Sequence, residues 1–160
     1  SKSYNMTGWR LGFVGGNERA VAAFADVKDN TDSGQFKAIQ EAACAGIADR
    51  ALADSIRDHY RARLELLVKA LQQAGFDAAM PGGTFYLYVK APKGAGDRSF
   101  ETAGDATDYL IREQLISTVP WDDAGAFLRF SATFESAGDE DDARVIDELG
   151  RRLAAADLRF

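Results

Sequence analysis

The stretch SKSYNMTGWRLG, residues 1–12, is the most informative part of the sequence because it holds two side chains suited to one kind of small molecule. Lys2 lies among hydroxyl-bearing and small residues, and Arg10 follows eight positions later. A lysine amine forms Schiff bases with carbonyl groups once its pKa is lowered enough to leave the amine free. An arginine holds a phosphate through the planar fork of its guanidinium. The pair therefore suits a molecule with an aldehyde at one end and a phosphate at the other.

The composition is that of a globular protein and excludes several classes of function. The chain has 160 residues, of which 46% are hydrophobic and 28% charged. Its 19 basic and 25 acidic residues give a net charge of −6, which argues against a nucleic-acid-binding surface. No apolar run approaches the roughly 20 residues that span a bilayer, so no membrane partner is expected. With Cys44 as the only cysteine and His59 as the only histidine, the sequence has no intrachain disulfide and no His/Cys metal cluster. A reducing, cytoplasmic location is expected.

The chain starts without Met and without a signal peptide, and it opens directly on the dense motif of residues 1–12. We therefore expect it to be the carboxyl-terminal part of a longer protein.

Apolar periodicity and turn residues predict both helices and strands. The first half is predicted to contain a buried strand over 11–14, a helix capped by Asn17 that runs to Val27, a polar turn over 30–34, a helix over 35–47 capped by Ser33, and a long helix from Asp54 ended by Gly75. The second half is predicted to contain strands over 84–89, 115–119 and 127–134, loops over 90–100 and 120–125, a helix capped by Asp105 or Thr107 that runs to Gln114, and a closing helix over 139–157. Cys44 is expected to be a small buried residue, and His59 a partly exposed one on the long helix.

Pyridoxal phosphate (PLP) is the molecule that carries both an aldehyde and a phosphate. The pattern Ser1-Lys2-x-x-Asn5-Met6-x-Gly8-x-Arg10-Leu11-Gly12 resembles the PLP-attachment signature of class I and II aminotransferases, which are fold-type I enzymes. The alternative is a surface lysine and a salt-bridged arginine that flank a strand.

Three further segments resemble the same family. The turn Asn30–Gly34 resembles the segment that reaches toward the partner subunit's site, and Met80–Tyr86 resembles the opening of the family's small domain. The third, residues 116–131, resembles the stretch whose arginine binds the substrate α-carboxylate. Arg129 lies there between Leu128 and Phe130, and a buried arginine needs a partner. The residues alone favour an internal aspartate as that partner; the resemblance favours a bound carboxylate.

The resemblance implies a role for each matching residue. Lys2 would be catalytic, because its amine would form the Schiff base with the cofactor and then move a proton from the substrate Cα. Arg10 would bind the cofactor phosphate, with Ser1 as a hydroxyl donor. Arg129 would bind the substrate α-carboxylate and orient the Cα–H bond. No metal site is implied.

The resemblance also implies an α/β fold of the fold-type I PLP-dependent transferases. Residues 1–50 would finish the large PLP-binding domain, 51–75 would form an interdomain helix, and 76–160 would form the small α+β carboxyl-terminal domain. The substrates would be an amino acid and a 2-oxo acid such as 2-oxoglutarate, and the protein would be a homodimer.

Within the family, the strings Asn5–Gly12, Asp32–Phe36 and Ser117–Gly125 are most similar to the bacterial group that acts on LL-diaminopimelate. Alanine and aspartate transaminases share much of this sequence. Two other hypotheses remain: a PLP-dependent lyase of the same fold, and a non-catalytic aminotransferase-like binding module.

Overall fold

The structure is a computed structural model that describes residues 2–160, with all of their side chains except those of residues 139 and 140. The chain divides into two compact units, one that ends at Asp58 (unit 1) and one over His59–Phe160 (unit 2). The domain boundaries at residues 50 and 75 stay a prediction. Among the helices of the described residues, none combines the length and the apolar character that crossing a bilayer requires.

Unit 1 is helical. After a 3-10 turn at Thr7–Trp9, it contains helix α1 (Glu18–Asp29), helix α2 (Lys37–Ala48) and the first residues of helix α3 (Arg50–Gln73). The predicted cap of α1 is confirmed, because the Asn17 side chain accepts a hydrogen bond from the Arg19 amide at 3.0 Å. Ser33 does not cap α2, which begins after Phe36 without a side-chain cap. Cys44 is exposed on α2, so the prediction that it is buried was wrong.

The predicted strand over residues 11–14 is also wrong. These residues have no regular structure, and Phe13 and Val14 are 83% and 54% exposed. A strand exists only through hydrogen bonds to a neighbouring strand, and no other segment among residues 2–160 pairs with this one. The apolar sequence is suited to a strand, but the described residues offer it no partner.

Helix α3 ends as the sequence predicts, although it begins four residues earlier than expected, at Arg50. Gly75 adopts a φ of +92°, a conformation that glycine adopts at little cost. The amides of Gly75 and Phe76 donate to the carbonyls of Gln72 and Leu71, each at 3.0 Å. This double hydrogen bond is the Schellman arrangement that closes a helix.

Unit 2 is built around a three-stranded antiparallel sheet in the order β1 (Tyr86–Lys90), β5 (Phe127–Ser131), β4 (Val119–Trp121). Alternate residues of the two longer strands face the core, as the period of two requires. The core packs these residues against helices α3, α4 (Ala103–Gln114) and α5 (Asp139–Ala155). The large side chains with the least exposure are Leu67, Leu71, Leu87, Leu110, Leu128 and Leu153.

The predicted loop over 90–100 contains a small second sheet. Strand β2 (Gly94–Ala95) pairs with β3 (Arg98–Ser99) and with β6 (Leu158–Arg159), which ends the chain. Two-residue strands have no alternation to detect, and one of the two partners of β2, strand β6, lies more than 60 positions away. Sequence reasoning therefore missed all three strands.

Helix α4 begins earlier than predicted, with Thr102 as its cap in place of Asp105 or Thr107. The Thr102 hydroxyl accepts from the Asp105 amide at 3.1 Å, while the Asp105 carboxylate accepts from the Thr102 amide at 2.9 Å. This reciprocal pair is a capping box. The next strand, β4, occupies 119–121 instead of 115–119, because Leu115 ends α4 in a left-handed conformation with φ +55°.

Candidate functional site

The amino-terminal motif forms a compact series of turns in unit 1. The Asn5 amide donates to the Lys2 carbonyl at 3.2 Å, and the Trp9 amide donates to the Met6 carbonyl at 3.2 Å. The Lys2 side chain is exposed, and its amine has no hydrogen-bond or ion-pair partner among the side chains that the structure describes. Ser1, the predicted hydroxyl donor to the phosphate, lies outside the described residues.

Arg10 directly follows the 3-10 turn and adopts a left-handed backbone conformation with φ +54°, which is uncommon for a residue other than glycine. One guanidinium nitrogen, Nη1, donates to the Thr7 carbonyl at 3.1 Å. Within residues 2–160 the other donors, on Nη2 and Nε, have no protein acceptor. The turn thus fixes one edge of the guanidinium and leaves the other nitrogens available to an anion.

The motif lies beside a cleft of about 570 Å³ in unit 1. Tyr4 and Met6 cover Gly46 of α2, where an added Cβ would lie 3.6 Å from Tyr4 Cδ1 and 3.9 Å from Met6 Sδ. The cleft is lined by side chains of residues 4–13 and of α2, among them Tyr4, Met6, Leu11, Phe13, Ala43 and Ile47. Lys2 and Arg10 do not line it.

The turn over 30–34 is held by Asp32. Its carboxylate pairs with Lys28 and accepts from the Gly34 amide at 3.2 Å. The hydrogen bond from Lys28, and then that from the Gly34 amide, hold the pKa of Asp32 below its usual range. These contacts join the turn to the end of α1, and its role toward a partner subunit stays a prediction.

Arg129 lies at the centre of the exposed face of the main sheet in unit 2. It belongs to the middle strand β5, where its direct cross-strand partners are Tyr88 on β1 and Val119 on β4. Leu128 and Phe130 face the core, with 0% and 3% exposure, whereas Arg129 points to the other face and is half-buried. The expectation of a buried arginine was therefore wrong, because strand alternation separates Arg129 from its apolar sequence neighbours.

The guanidinium of Arg129 contacts aromatic rings and, among the described side chains, no carboxylate. Its carbon Cζ lies 4.3 Å from the ring centroid of Tyr86 and 5.8 Å from that of Trp121. Among the side chains that the structure describes, none forms a hydrogen bond or an ion pair with Arg129. The residues alone favoured an internal aspartate as the partner of Arg129. No aspartate side chain in the described part of the chain pairs with it.

The buried arginine of unit 2 is Arg63 of α3, which the sequence did not single out. Its Nε and Nη2 donate to the two carboxylate oxygens of Asp142, each at 2.8 Å, and Nη1 donates to the Phe134 carbonyl at 2.8 Å. Ser136 also hydrogen-bonds to both side chains. The hydrogen bonds from Arg63 hold the pKa of Asp142 below its usual value, although burial acts in the opposite direction. This network fixes the segment that follows β5.

Sequence signals for these missed residues exist, but they are weak. Arg63 falls within the apolar stripe of α3, one position before Leu64 and four before Leu67, which is unusual for a charged side chain. Trp121 lies in the segment 116–131 that the sequence analysis had connected with substrate binding, whereas the segment of Tyr86 was connected only with the opening of the small domain. Only the strand register shows that they flank Arg129.

Chemically, unit 1 presents two basic side chains with unused donors and unit 2 presents one. Unit 1 offers the Lys2 amine and the Arg10 guanidinium, which suit a carbonyl and a phosphate. Unit 2 offers the Arg129 guanidinium on an aromatic sheet face, which suits a carboxylate.

Comparison with known proteins identifies the family. The family described as aminotransferase class I and II matches residues 1–144. LL-diaminopimelate aminotransferase of Methanococcus maripaludis is 51% identical over 166 aligned positions, which cover 100% of this chain and 40% of that protein. The enzyme of the same name from Methanocaldococcus jannaschii is 50% identical with the same coverage. The chain therefore spans about 40% of the length of these relatives.

Solved structures agree with this assignment. The substrate-bound BacF structure from Bacillus subtilis has a TM-score of 0.82 at 27% identity, covering 99% of this chain and 39% of that one. A mutant aspartate aminotransferase from Thermus thermophilus has a TM-score of 0.74 at 28% identity, covering 95% and 39%. The α/β fold is thus the one found in fold-type I aminotransferases.

The chain belongs to the class I and II aminotransferase family. Enzymes of this family generally depend on PLP, and their substrates are small amino and oxo acids.

Proposed function

We propose that the protein containing this chain is a PLP-dependent aminotransferase that transfers an amino group from LL-diaminopimelate to a 2-oxo acid such as 2-oxoglutarate. The observation that carries the proposal is the 51% identity to an LL-diaminopimelate aminotransferase along the whole chain. The open guanidinium of Arg129 supports it, because both substrates carry an α-carboxylate.

The donor set of unit 1 fits PLP. No described group binds the Lys2 amine. Arg10 donates one hydrogen bond to the Thr7 carbonyl and has further N–H groups that can bind a phosphate. When bound, PLP supplies an aldehyde for covalent attachment of amines and a ring that accepts electrons. Lys2 and Arg10 would hold it, with Ser1 as a further predicted donor.

Each of the three basic side chains would have a separate task. The neutral Lys2 amine would take the proton from the substrate Cα as a base and then, as an acid, donate it to the cofactor carbon that carries the aldehyde in free PLP. Arg10 would bind the phosphate by charge-assisted hydrogen bonds and so fix the position of the cofactor. Arg129 would bind the substrate α-carboxylate by two parallel hydrogen bonds, which orients the Cα–H bond for cleavage.

A homodimer is part of the proposal, because Asn30–Gly34 resembles the segment that completes the neighbouring subunit's site in the family. The ion pair of Lys28 and Asp32 gives that turn a defined shape. A cytoplasmic location stays a prediction.

The test uses the full-length holoenzyme with LL-diaminopimelate as amino donor. In the absence of a 2-oxo acid, an aminotransferase releases about one equivalent of oxo product per site and stops. Added 2-oxoglutarate then restores continuous turnover and yields glutamate. We expect this behaviour, and a loss of about 10²–10⁴-fold in kcat for Lys2→Ala, because the variant lacks the proton-transferring amine.

Two results would contradict the proposal. Continuous product formation without any 2-oxo acid would indicate a lyase. No product with any amino acid, from a protein that binds PLP, would indicate a binding module. Replacing LL-diaminopimelate by aspartate or alanine tests the donor, since a higher kcat/KM with either one would assign the protein to that group of transaminases.

A further inference from the structure

The aromatic rings beside Arg129 come from both strands that flank it. Tyr86 on β1 pairs in register with Ser131, and Trp121 on β4 pairs with Phe127. Each ring is therefore a diagonal neighbour of Arg129, two residues from its direct partner. Side chains at this diagonal are within reach of long or aromatic neighbours. The guanidinium carbon lies 4.3 Å from the Tyr86 centroid and 5.8 Å from the Trp121 centroid.

This kind of contact leaves the hydrogen-bond donors of arginine unused. A cation–π contact is made through the plane of the guanidinium and the face of the ring. A carboxylate partner would instead occupy the N–H groups that a bound substrate carboxylate needs. Arg129 has no such partner among the side chains that the structure describes. The rings can therefore hold the guanidinium while its donors stay free.

We propose that Tyr86, assisted by Trp121, is a positioning residue that orients the Arg129 guanidinium for the substrate carboxylate. The inference rests on the proposed function, because it assigns Arg129 the α-carboxylate. A preoriented guanidinium loses less conformational entropy when the carboxylate binds, so losing the ring contact weakens carboxylate binding more than it slows the chemical step.

The chain offers a matched control on the same strand. Tyr88 lies on the same sheet face as Tyr86 and is the direct cross-strand partner of Arg129. Its ring, however, stacks on Phe127, with centroids 4.5 Å apart and planes inclined by 13°. Tyr88→Leu thus removes an aromatic ring from the same face without removing either of the two cation–π contacts to the Arg129 guanidinium.

The experiment measures KM for 2-oxoglutarate and kcat in the full-length holoenzyme. For Tyr86→Leu we expect KM to rise about 3- to 30-fold, the range that a cation–π contact corresponds to, with kcat within about threefold of wild type. Tyr86→Phe keeps the ring face and should stay within about threefold in KM, as should Tyr88→Leu. Trp121→Leu, whose ring is more distant, should raise KM by a smaller factor of about two to five.

The outcomes separate this inference from the proposed function. Equal KM values for Tyr86→Leu and Tyr88→Leu would overturn the inference, and so would a Tyr86→Phe variant as impaired as Tyr86→Leu. A wild-type KM in Arg129→Lys would instead overturn the role of Arg129 itself, because lysine cannot form the two parallel hydrogen bonds. If Tyr86→Leu does not fold, Trp121→Leu decides, and an unchanged KM there would refute the inference.

Discussion

Asp142→Ala is expected to destabilise unit 2 more than any ordinary surface substitution. The Asp142 side chain is 5% exposed and that of Arg63 is 10% exposed, so both charges of the pair are almost completely removed from water. The substitution leaves Nε and Nη2 of Arg63 without their carboxylate. Removing one partner of a buried ion pair costs about 3–5 kcal/mol, because the remaining charge is left uncompensated. That is a large share of the roughly 5–15 kcal/mol that stabilises a typical domain.

The assay is urea unfolding followed by tryptophan fluorescence. In the 160-residue chain, a Trp9→Phe background leaves Trp121 as the only tryptophan, so the signal from this chain reports on unit 2. The control is Asp147→Ala, which removes the same charge from the exposed surface of α5 and should change the free energy of unfolding by no more than about 0.5 kcal/mol. A loss below about 1 kcal/mol for Asp142→Ala, with an unchanged denaturant slope, would refute the reasoning.

The same pair predicts a pH dependence. The pKa of Asp142 lies below its ordinary value of 3.8 in the folded protein, chiefly because of hydrogen bonds from Arg63. A depressed carboxyl pKa contributes stability above the unfolded-state pKa and loses it as the pH falls through the folded-state pKa. The difference in unfolding free energy between wild type and Asp142→Ala should therefore be full above about pH 5 and shrink below the ordinary value of 3.8. A difference that stays constant down to pH 2 would show that the ion pair is not its source.

Two further predictions concern local structure. Thr102→Ala should cost about 0.5–2 kcal/mol in unfolding free energy, because it removes the side-chain half of the capping box with Asp105; urea unfolding measures this, and a neutral effect would show that the box contributes nothing. Gly94→Ala should lower the free energy of unfolding by about 1–3 kcal/mol, because the added Cβ would collide with the Arg98 carbonyl. Gly150→Ala should raise it by about 0.5–1 kcal/mol, because the added Cβ meets open space and alanine favours the helix α5. Thermal unfolding of the two glycine variants should shift in opposite directions, and shifts of the same sign would contradict the prediction.

Local signals in the sequence predicted two helix ends correctly, although they misplaced the caps of α2 and α4. Asn17 caps α1 and Gly75 closes α3 as expected, because each depends only on hydrogen bonds within a few residues. The signals failed where structure depends on a distant partner. Strand β2 pairs with β6 across more than 60 positions, and residues 11–14 lack any pairing strand among the described residues.

The candidate site shows the same difference between what local sequence signals predict and what depends on distant partners. Arg129 was found from its resemblance to a family motif, yet its environment was predicted wrongly. The sequence predicted a buried Arg129 side chain because its neighbours are apolar. Strand alternation instead turns it to the opposite face of the sheet, which holds Tyr86. The buried pair of Arg63 and Asp142 joins residues 79 positions apart. Nothing in one sequence specifies such a pairing, because it is determined by how helix α5 packs against α3.

The central claim is that Lys2 is the covalent anchor of PLP, and it can be measured directly. The full-length holoenzyme is reduced with borohydride, which makes the lysine–cofactor linkage permanent, and its peptides are mapped by mass spectrometry. The account predicts the mass of the reduced cofactor on the peptide that contains Lys2, and on no other lysine. Attachment to a different lysine, or no attachment in an active enzyme, would contradict it.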